Sequence, residues 1–432
     1  MYDTFALAKK QNKTVTMNRQ TPHRKNISKE SGLLHTPYTV ADAHNALTMP
    51  VYNSVAFEFD TAEAMAEAFC GRTNDHYYSR ITNPTVQYLE ERVRSFTDAM
   101  SVTALNSGMA AITNTFLTIA SQGSNIVTSP HLFGNTYSLL KNTLSAFGVE
   151  ARFCDLTDVD QVRSAIDGNT SALFLEIITN PQMEVAGLKA LSDICKEAAI
   201  PLIADTTIIP FTHFAAKDFG VNIEIISSTK YISGGATGLG GLIIDHGIFD
   251  WSASSVLQNW YRQTRNHAFT TRLRKEIHRN IGAYMTPQVA AMQTLGLETL
   301  HVRYERQATT TLELARRLQN LEGIISVNYP GLENNPYHTI SNDQFGKTPG
   351  AMLTFDLISR EACFTFLNRL KLIRRATNLF DNKSLIIHPA STIYGSFTEE
   401  QRENMHIKQQ TIRLSVGLEP TDDLFNDIMQ AL

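Results

Sequence analysis

From about residue 100 onward, short apolar runs rich in β-branched residues recur along the chain: NIVTS (125–129), ALFLEI (172–177), PLIAD (201–205), IEIIS (223–227) and GLIID (241–245). Runs of this length predict buried strands. Stretches with helical spacing separate most of them; in LKALSDICKEAA (188–199), Leu188, Leu191, Ile194, Cys195 and Ala198 share one face. Strands alternating with amphipathic helices predict an α/β domain built on a mainly parallel sheet covered on both faces. Beyond about residue 285 the rhythm changes. ETLHVRYERQATTTLELARRLQNL (298–321) predicts a long helix, AMLTFDL (351–357) a strand and DDLFNDIMQAL (422–432) a terminal helix, a mixture that fits a smaller α+β domain. The first thirty-odd residues show no sustained hydrophobic period. The expected division is an N-terminal arm over 1–72, an α/β domain over 73–283 and a C-terminal α+β domain over 284–432.

Composition narrows the function. The 432 residues are 43% hydrophobic and 19% charged, with 38 Lys+Arg against 42 Asp+Glu and a net charge of −4. Two or three domains of this make-up bury proper cores without disulfides. The near-neutral balance argues against a nucleic-acid binder, which would carry a basic excess. The basic charge is concentrated at the start, where seven Lys/Arg face only Asp3 and Glu30; an extended arm is the plainer reading, a partner-binding segment the alternative. Cys70, Cys154, Cys195 and Cys363 lie far apart, which predicts reduced, mostly buried thiols in a cytoplasmic protein. The thirteen histidines form no His-Glu-x-x-His, so no metal site is written in local spacing. No secretory signal and no membrane span are expected either.

Two nucleotide motifs fail. Phe345-Gly346-Lys347-Thr348 resembles the end of a phosphate loop, but Ser341 stands where the first glycine is required. GGATGLGG (234–241) lacks the dinucleotide spacing and precedes a strand. A different chemistry fits IEIISSTKYISGGATGLGG (223–241). Lys230 follows an apolar strand, and Ser227 and Thr229 lie three and one residues before it. Hydroxyls there could hold a phosphate while the amine forms a Schiff base with an aldehyde on the same molecule. Pyridoxal phosphate is the cofactor that needs both, together with an acid at its ring nitrogen. Asp205 ends the strand PLIAD, where a parallel sheet presents its ligand-binding loops. Asn106-Ser107-Gly108-Met109-Ala110-Ala111 supplies a small-residue turn opening a helix, whose free N–H groups suit a phosphate.

With these residues side by side, the chain resembles the pyridoxal-phosphate enzymes of cysteine and methionine metabolism, the trans-sulfuration family. The resemblance runs from about residue 48 to the C-terminus. It rests on Met49-Pro50-Val51-Tyr52, Tyr78-Ser79-Arg80 with Asn83-Pro84-Thr85, Ser107-Gly108-Met109-Ala110-Ala111, Glu176 with Asn180-Pro181, Asp205-Thr206-Thr207, Ser227-Ser228-Thr229-Lys230-Tyr231, and Ile412-Arg413-Leu414-Ser415-Val416-Gly417-Leu418-Glu419. It implies the pyridoxal-phosphate-dependent transferase fold, aspartate-aminotransferase-like (fold type I), with 73–283 binding the cofactor. It also implies that Lys230 holds the cofactor, Asp205 pairs with its ring nitrogen, and Ser107, Gly108, Met109, Ser227 and Thr229 surround its phosphate. Asn180 is implied to lie near the ring hydroxyl, Phe133 to stack on the ring, and Arg413 and Asn378 to face the substrate. Tyr78 and Arg80 match a pair that reaches the phosphate of a neighbouring subunit, which implies a homo-oligomer, dimer or tetramer, with shared sites.

Within the family, Asn378-Leu379-Phe380-Asp381-Asn382-Lys383-Ser384-Leu385 and His388-Pro389-Ala390-Ser391-Thr392 look most like the O-acetylhomoserine sulfhydrylase branch. That likeness implies γ-replacement on an amino-acid substrate with sulfide or a thiol, a step of methionine biosynthesis. Phe133 departs from the usual stacking tyrosine and cannot titrate; it is also similar to O-succinylhomoserine sulfhydrylases, so the acyl group stays open. The alternatives are a γ-elimination lyase of the methionine or cystathionine type and, in a different class, a non-catalytic assembly or regulatory protein on the same fold. Asn135, where methionine γ-lyases carry a cysteine, favours the sulfhydrylase.

Overall fold

The computed structural model describes residues 27–38 and 42–432. Seven strands form the larger sheet: β1 (Ser101–Leu105), β2 (Asn125–Thr128), β3 (Glu150–Phe153), β4 (Thr170–Glu176), β5 (Leu202–Asp205), β6 (Ile223–Ile226) and β7 (Gly241–Asp245), in the order β1-β7-β6-β5-β4-β2-β3. Every predicted run is therefore a strand. The sheet is parallel except for β7, which runs antiparallel to both β1 and β6. No helix lies between β6 and β7; the Lys230 turn and the glycine-rich segment make the return.

The period of two divides each strand between two cores. Leu173 and Leu175 of β4 and Leu202 and Ala204 of β5 face one core, with the helices Pro84–Thr97 and Leu188–Glu197. Ala172, Phe174 and Ile203 face the other, against the helix Gly108–Ile119. The sheet is thus covered on both faces, as expected.

A second sheet uses β8 (Ser326–Asn328), β9 (Met352–Asp356), β10 (Arg374–Arg375), β11 (Leu385–Ile387) and β12 (Thr411–Ser415) in the order β10-β11-β12-β9-β8. Its core residues Met352, Leu353, Ile412 and Leu414 are continuous with the first core of the large sheet. The long helix runs Leu300–Leu318, shorter at both ends than the expected 298–321, and the terminal helix runs Thr421–Ala431.

One expectation needs correction. Cys195 and Cys363 are buried, but Cys154 is half-buried and Cys70 exposed, because Cys70 caps the surface helix Ala62–Phe69. The basic arm falls largely on 1–26, outside the described residues. From Lys29 to Leu34 the chain is a helix, with Leu33 buried and its carbonyl accepting from the guanidinium of Arg92. Among the described residues no helix is long and apolar enough to cross a membrane.

Candidate active site

The carboxyl ends of β1, β4, β5 and β6, the Phe133 segment after β2 and, from the smaller sheet, the loop at 377–379 and Arg413 of β12 enclose a cavity of about 640 Å³. Its lining contains every expected site residue except Tyr78 and Arg80: Ser107, Gly108, Met109, Phe133, Asn180, Asp205, Ser227, Thr229, Lys230, Asn378 and Arg413. The parallel sheet collects successive strand ends on one edge, and packing of the smaller sheet against it brings Arg413 to residues more than 300 positions earlier.

Ser107 is the N-cap of the helix Gly108–Ile119, its hydroxyl accepting from Ala110 N at 3.0 Å. The first amides of a helix have no acceptor within it, so those of Gly108 and Met109 are available to an anion. Glycine is required at 108 by close approach: a Cβ there would meet Ser227 Cβ at 2.7 Å and Oγ at 2.9 Å. Thr229 Oγ1 ties the Lys230 turn to the glycine-rich segment, accepting from Gly240 N at 3.0 Å.

Lys230 Nζ donates to Asn378 Oδ1 at 2.7 Å. Burial, reinforced by the positive charge of Arg413 and opposed by Asp205, lowers its amine to about 8. Arg413 sits in β12 between β11 and β9, which fixes its backbone on both sides. Its Nη1 donates to Asn180 Oδ1 at 3.1 Å and Nη2 to the Asn378 carbonyl at 3.5 Å. Nε is buried and has no partner among the described residues. A planar cation held this way, with donor capacity unused, suits a carboxylate.

Asp205 accepts from Thr207 N at 2.9 Å, and burial raises its carboxyl above the usual range despite that bond and the pull of Lys230. Glu176 ends β4 in register with Asp205. Its Oε1 accepts from Phe133 N at 2.7 Å. Burial first, then the charge of Asp205, pushes its carboxyl up to about 8. The motif containing Glu176 was visible in the sequence, but its bond to the Phe133 loop and its place in the cavity wall were not. The Asn378 contact with Lys230 was also hidden. A strand-end acid beside another strand-end acid is the signal that could have singled out Glu176.

Tyr78 and Arg80 lie elsewhere. Arg80 donates to the Arg279 carbonyl at 2.6 Å, and its guanidinium lies 5.3 Å from the Tyr78 ring centre. Arg80 lines a second cavity of about 500 Å³ with Arg274, Lys275 and His278, a basic hollow separate from the one holding Lys230.

The main cavity fits pyridoxal phosphate. It has an anion end at Gly108 and Met109, a buried acid for the ring nitrogen at Asp205, and the Lys230 amine in the same lining. The unpartnered Arg413 Nε and the close Gly108–Ser227 approach leave room and donors for a bound anionic molecule.

Comparison with known proteins agrees. A family model described as Cys/Met metabolism PLP-dependent enzyme matches residues 30–432. The O-acetyl-L-homoserine sulfhydrylase of Corynebacterium glutamicum is 32% identical, covering 92% of this chain and 95% of that one. The L-methionine gamma-lyase of Pseudomonas putida is also 32% identical, covering 92% and 96%. Among solved structures, the O-acetylhomoserine sulfhydrylase of Wolinella succinogenes is 44% identical with a TM-score of 0.73, covering 82% of this chain and 99% of that one.

Proposed function

The chain belongs to the Cys/Met metabolism PLP-dependent enzyme family, and from that premise we propose that it catalyses γ-replacement on O-acetylhomoserine or O-succinylhomoserine with sulfide or a thiol, giving homocysteine or methionine. The observation that carries this reading is the Lys230–Asn378–Arg413 constellation in one cavity: an amine of lowered basicity stands beside a two-point carboxylate clamp. The 44% identity to the Wolinella sulfhydrylase supports replacement over elimination.

In this reading, pyridoxal phosphate when bound supplies a cationic ring that takes up the negative charge developing on the substrate's α-carbon. Arg413 grips the α-carboxylate, and Asn180 fixes the plane of its guanidinium. Lys230 Nζ, near 8 and steered by Asn378, would carry off the α proton, pass it on, take a β proton, and return one proton to each carbon after the sulfur nucleophile has replaced the acyloxy group at the γ-carbon. Asp205 would keep the ring nitrogen protonated, Ser107, Gly108, Met109, Ser227 and Thr229 would hold the phosphate, and Phe133 would pack on the ring. Because phenylalanine cannot titrate, proton movement falls to Lys230, to Tyr78 from a neighbouring subunit, or to water.

The 32% identity to a methionine gamma-lyase keeps γ-elimination as the second reading. Assaying O-acetylhomoserine with sulfide beside methionine alone separates them: homocysteine from the first mixture is expected, and a keto acid as sole product would rule replacement out. We further propose a cytoplasmic homo-oligomer whose sites borrow Tyr78 and Arg80 from the adjacent subunit. The proposed division remains an arm over 1–72, a cofactor domain over 73–283 and a substrate-closing domain over 284–432.

A further inference from the structure

Outside the lining of the cofactor cavity, three side chains converge that the reaction does not use. His131 Nδ1 lies 2.5 Å from Glu184 Oε2, and His406 Nδ1 lies 4.0 Å from Glu184 Oε1. The three potential ligand atoms all fall within 4.8 Å of one another. We infer that His131, Glu184 and His406 form a binding site for a divalent transition ion of the zinc type, joining the large sheet to the smaller one.

The donors lie within small movements of an ion's geometry. Zinc-type ions sit about 2.0–2.2 Å from imidazole and carboxylate donors, which in a tetrahedral set places the donors about 3.3 Å apart. His131 and Glu184 now share a hydrogen bond at 2.5 Å and His406 stands off at 4.0 Å, so an entering ion would replace that bond, widening the first pair and drawing the second in by less than about 1 Å each. Each imidazole addresses a different oxygen of Glu184, and the two rings are tilted by 48° with centres 4.6 Å apart, so their nitrogens can turn toward a common point. Two nitrogens and one carboxylate are the donor set of zinc sites that keep an open position, not of calcium or magnesium sites.

The backbone holds the ligands in place. Glu184 N donates to Thr179 Oγ1 and Thr179 N to the Glu184 carbonyl, both at 3.0 Å. Gln182 Nε2 reaches across to the Met405 carbonyl at 2.6 Å, bringing the His406 loop to the Glu184 loop. His131 N is fixed by Ser129 Oγ at 3.0 Å. His131 and Glu184 side chains are 10% and 20% exposed, while His406 is 68% exposed and gives an ion an entry path. A cavity of about 270 Å³ beside Glu184 and His406 leaves space for a water as fourth ligand. Asp356 lines it too but is already bound to Lys408 and Thr411, so it is not counted as a ligand.

A second cluster, His213, His301 and Glu305, carries no such inference. Its two imidazoles stack at 14° with centres 4.5 Å apart, so their lone pairs run side by side instead of converging. The first site escaped a search by spacing because its members are 53 and 222 residues apart in sequence, on the loops after β2 and β4 and before β12.

The test titrates the chelator-treated holoenzyme with Co²⁺ and Zn²⁺. The expected result is one ion per chain, with visible cobalt bands of nitrogen and oxygen ligation and no thiolate charge transfer. Glu184→Gln and His406→Ala should each weaken binding by about 100-fold or more. Saturating Zn²⁺ should also raise the thermal midpoint of the wild type but not of His406→Ala, since His406 is exposed and its loss spares the fold. Three results would overturn the site: no stoichiometric binding, unchanged binding curves in both variants, or a thiolate band that vanishes in Cys70→Ser.

Discussion

At the scale of single residues, the cavity works by setting charges. Burial and Arg413 disfavour a proton on Lys230 and bring its amine to about 8. A neutral amine is needed to capture an aldehyde, so the rate at which cofactor-free protein takes up pyridoxal phosphate should rise with pH to a midpoint near 8. Stopped-flow absorbance reads this; a midpoint near the ordinary lysine value would refute the argument. Lys230→Ala should abolish both turnover and borohydride trapping of the cofactor on the chain. Glu176 titrates with the opposite consequence. Its folded value of about 8 lies above the ordinary 4.5, so between those values the folded chain holds more protons than the unfolded one, and stability falls as pH rises. Glu176→Gln keeps a carbonyl acceptor for Phe133 N and removes the titration. Denaturant melts of cofactor-free protein should therefore lose that pH slope in the variant. Arg413→Lys replaces a planar fork by a point charge and should lower kcat/KM for the amino acid by about 10- to 150-fold, the equivalent of one charge-assisted hydrogen bond. Lys230 and Asp205 could be read from sequence because a strand end before a turn is a local pattern. The partners of Lys230 could not, since Asn378 is 148 residues away and reaches it only once the two sheets are packed.

At the scale of elements, five of the seven strands of the large sheet, β2 and β4 to β7, were legible to within a residue or two, because they are largely buried and bounded by polar turns; β1 and the more exposed edge strand β3 were not. Direction was not. An apolar run such as GLIID carries no arrow, and the only sign that β7 turns back is the lack of a helical period between Ile226 and Gly241. Most strands of the smaller sheet were missed for a plainer reason: β8, β10 and β11 have only two or three residues, too few to show a period. The helix Gly108–Ile119 depends on close approach at its first residue. In Gly108→Ala the new methyl would collide with Ser227. Overpacking of this kind costs about 1–3 kcal/mol, and we expect it to appear as cofactor affinity weakened roughly 5- to 150-fold, measured by fluorescence titration, with the melting profile of the cofactor-free chain changed less.

At the scale of the whole molecule, the separation of Tyr78 and Arg80 from the Lys230 cavity makes a prediction about assembly. Lys230→Ala and Arg80→Ala should each be inactive alone. Subunits of the two, unfolded together and refolded as a mixture, should regain about a quarter of wild-type activity if paired chains lend each other residues, because half the dimers are mixed and each keeps one intact site. No recovery in mixtures shown to contain mixed dimers would mean that sites are not shared. The sequence could not show this, since which chain a loop serves is decided by contacts no single chain contains. The same long reach also sets a schedule for synthesis. Among the described strands β1 pairs only with β7, whose first residue emerges 140 positions later, and the cavity wall is not complete until Arg413 has been added. At about 5–20 residues per second, β1 waits roughly 7–28 s on the ribosome for its neighbour. The nascent chain must therefore be kept from sticking through an unpaired strand, and vitamin-derived cofactor can be loaded only after translation is nearly over.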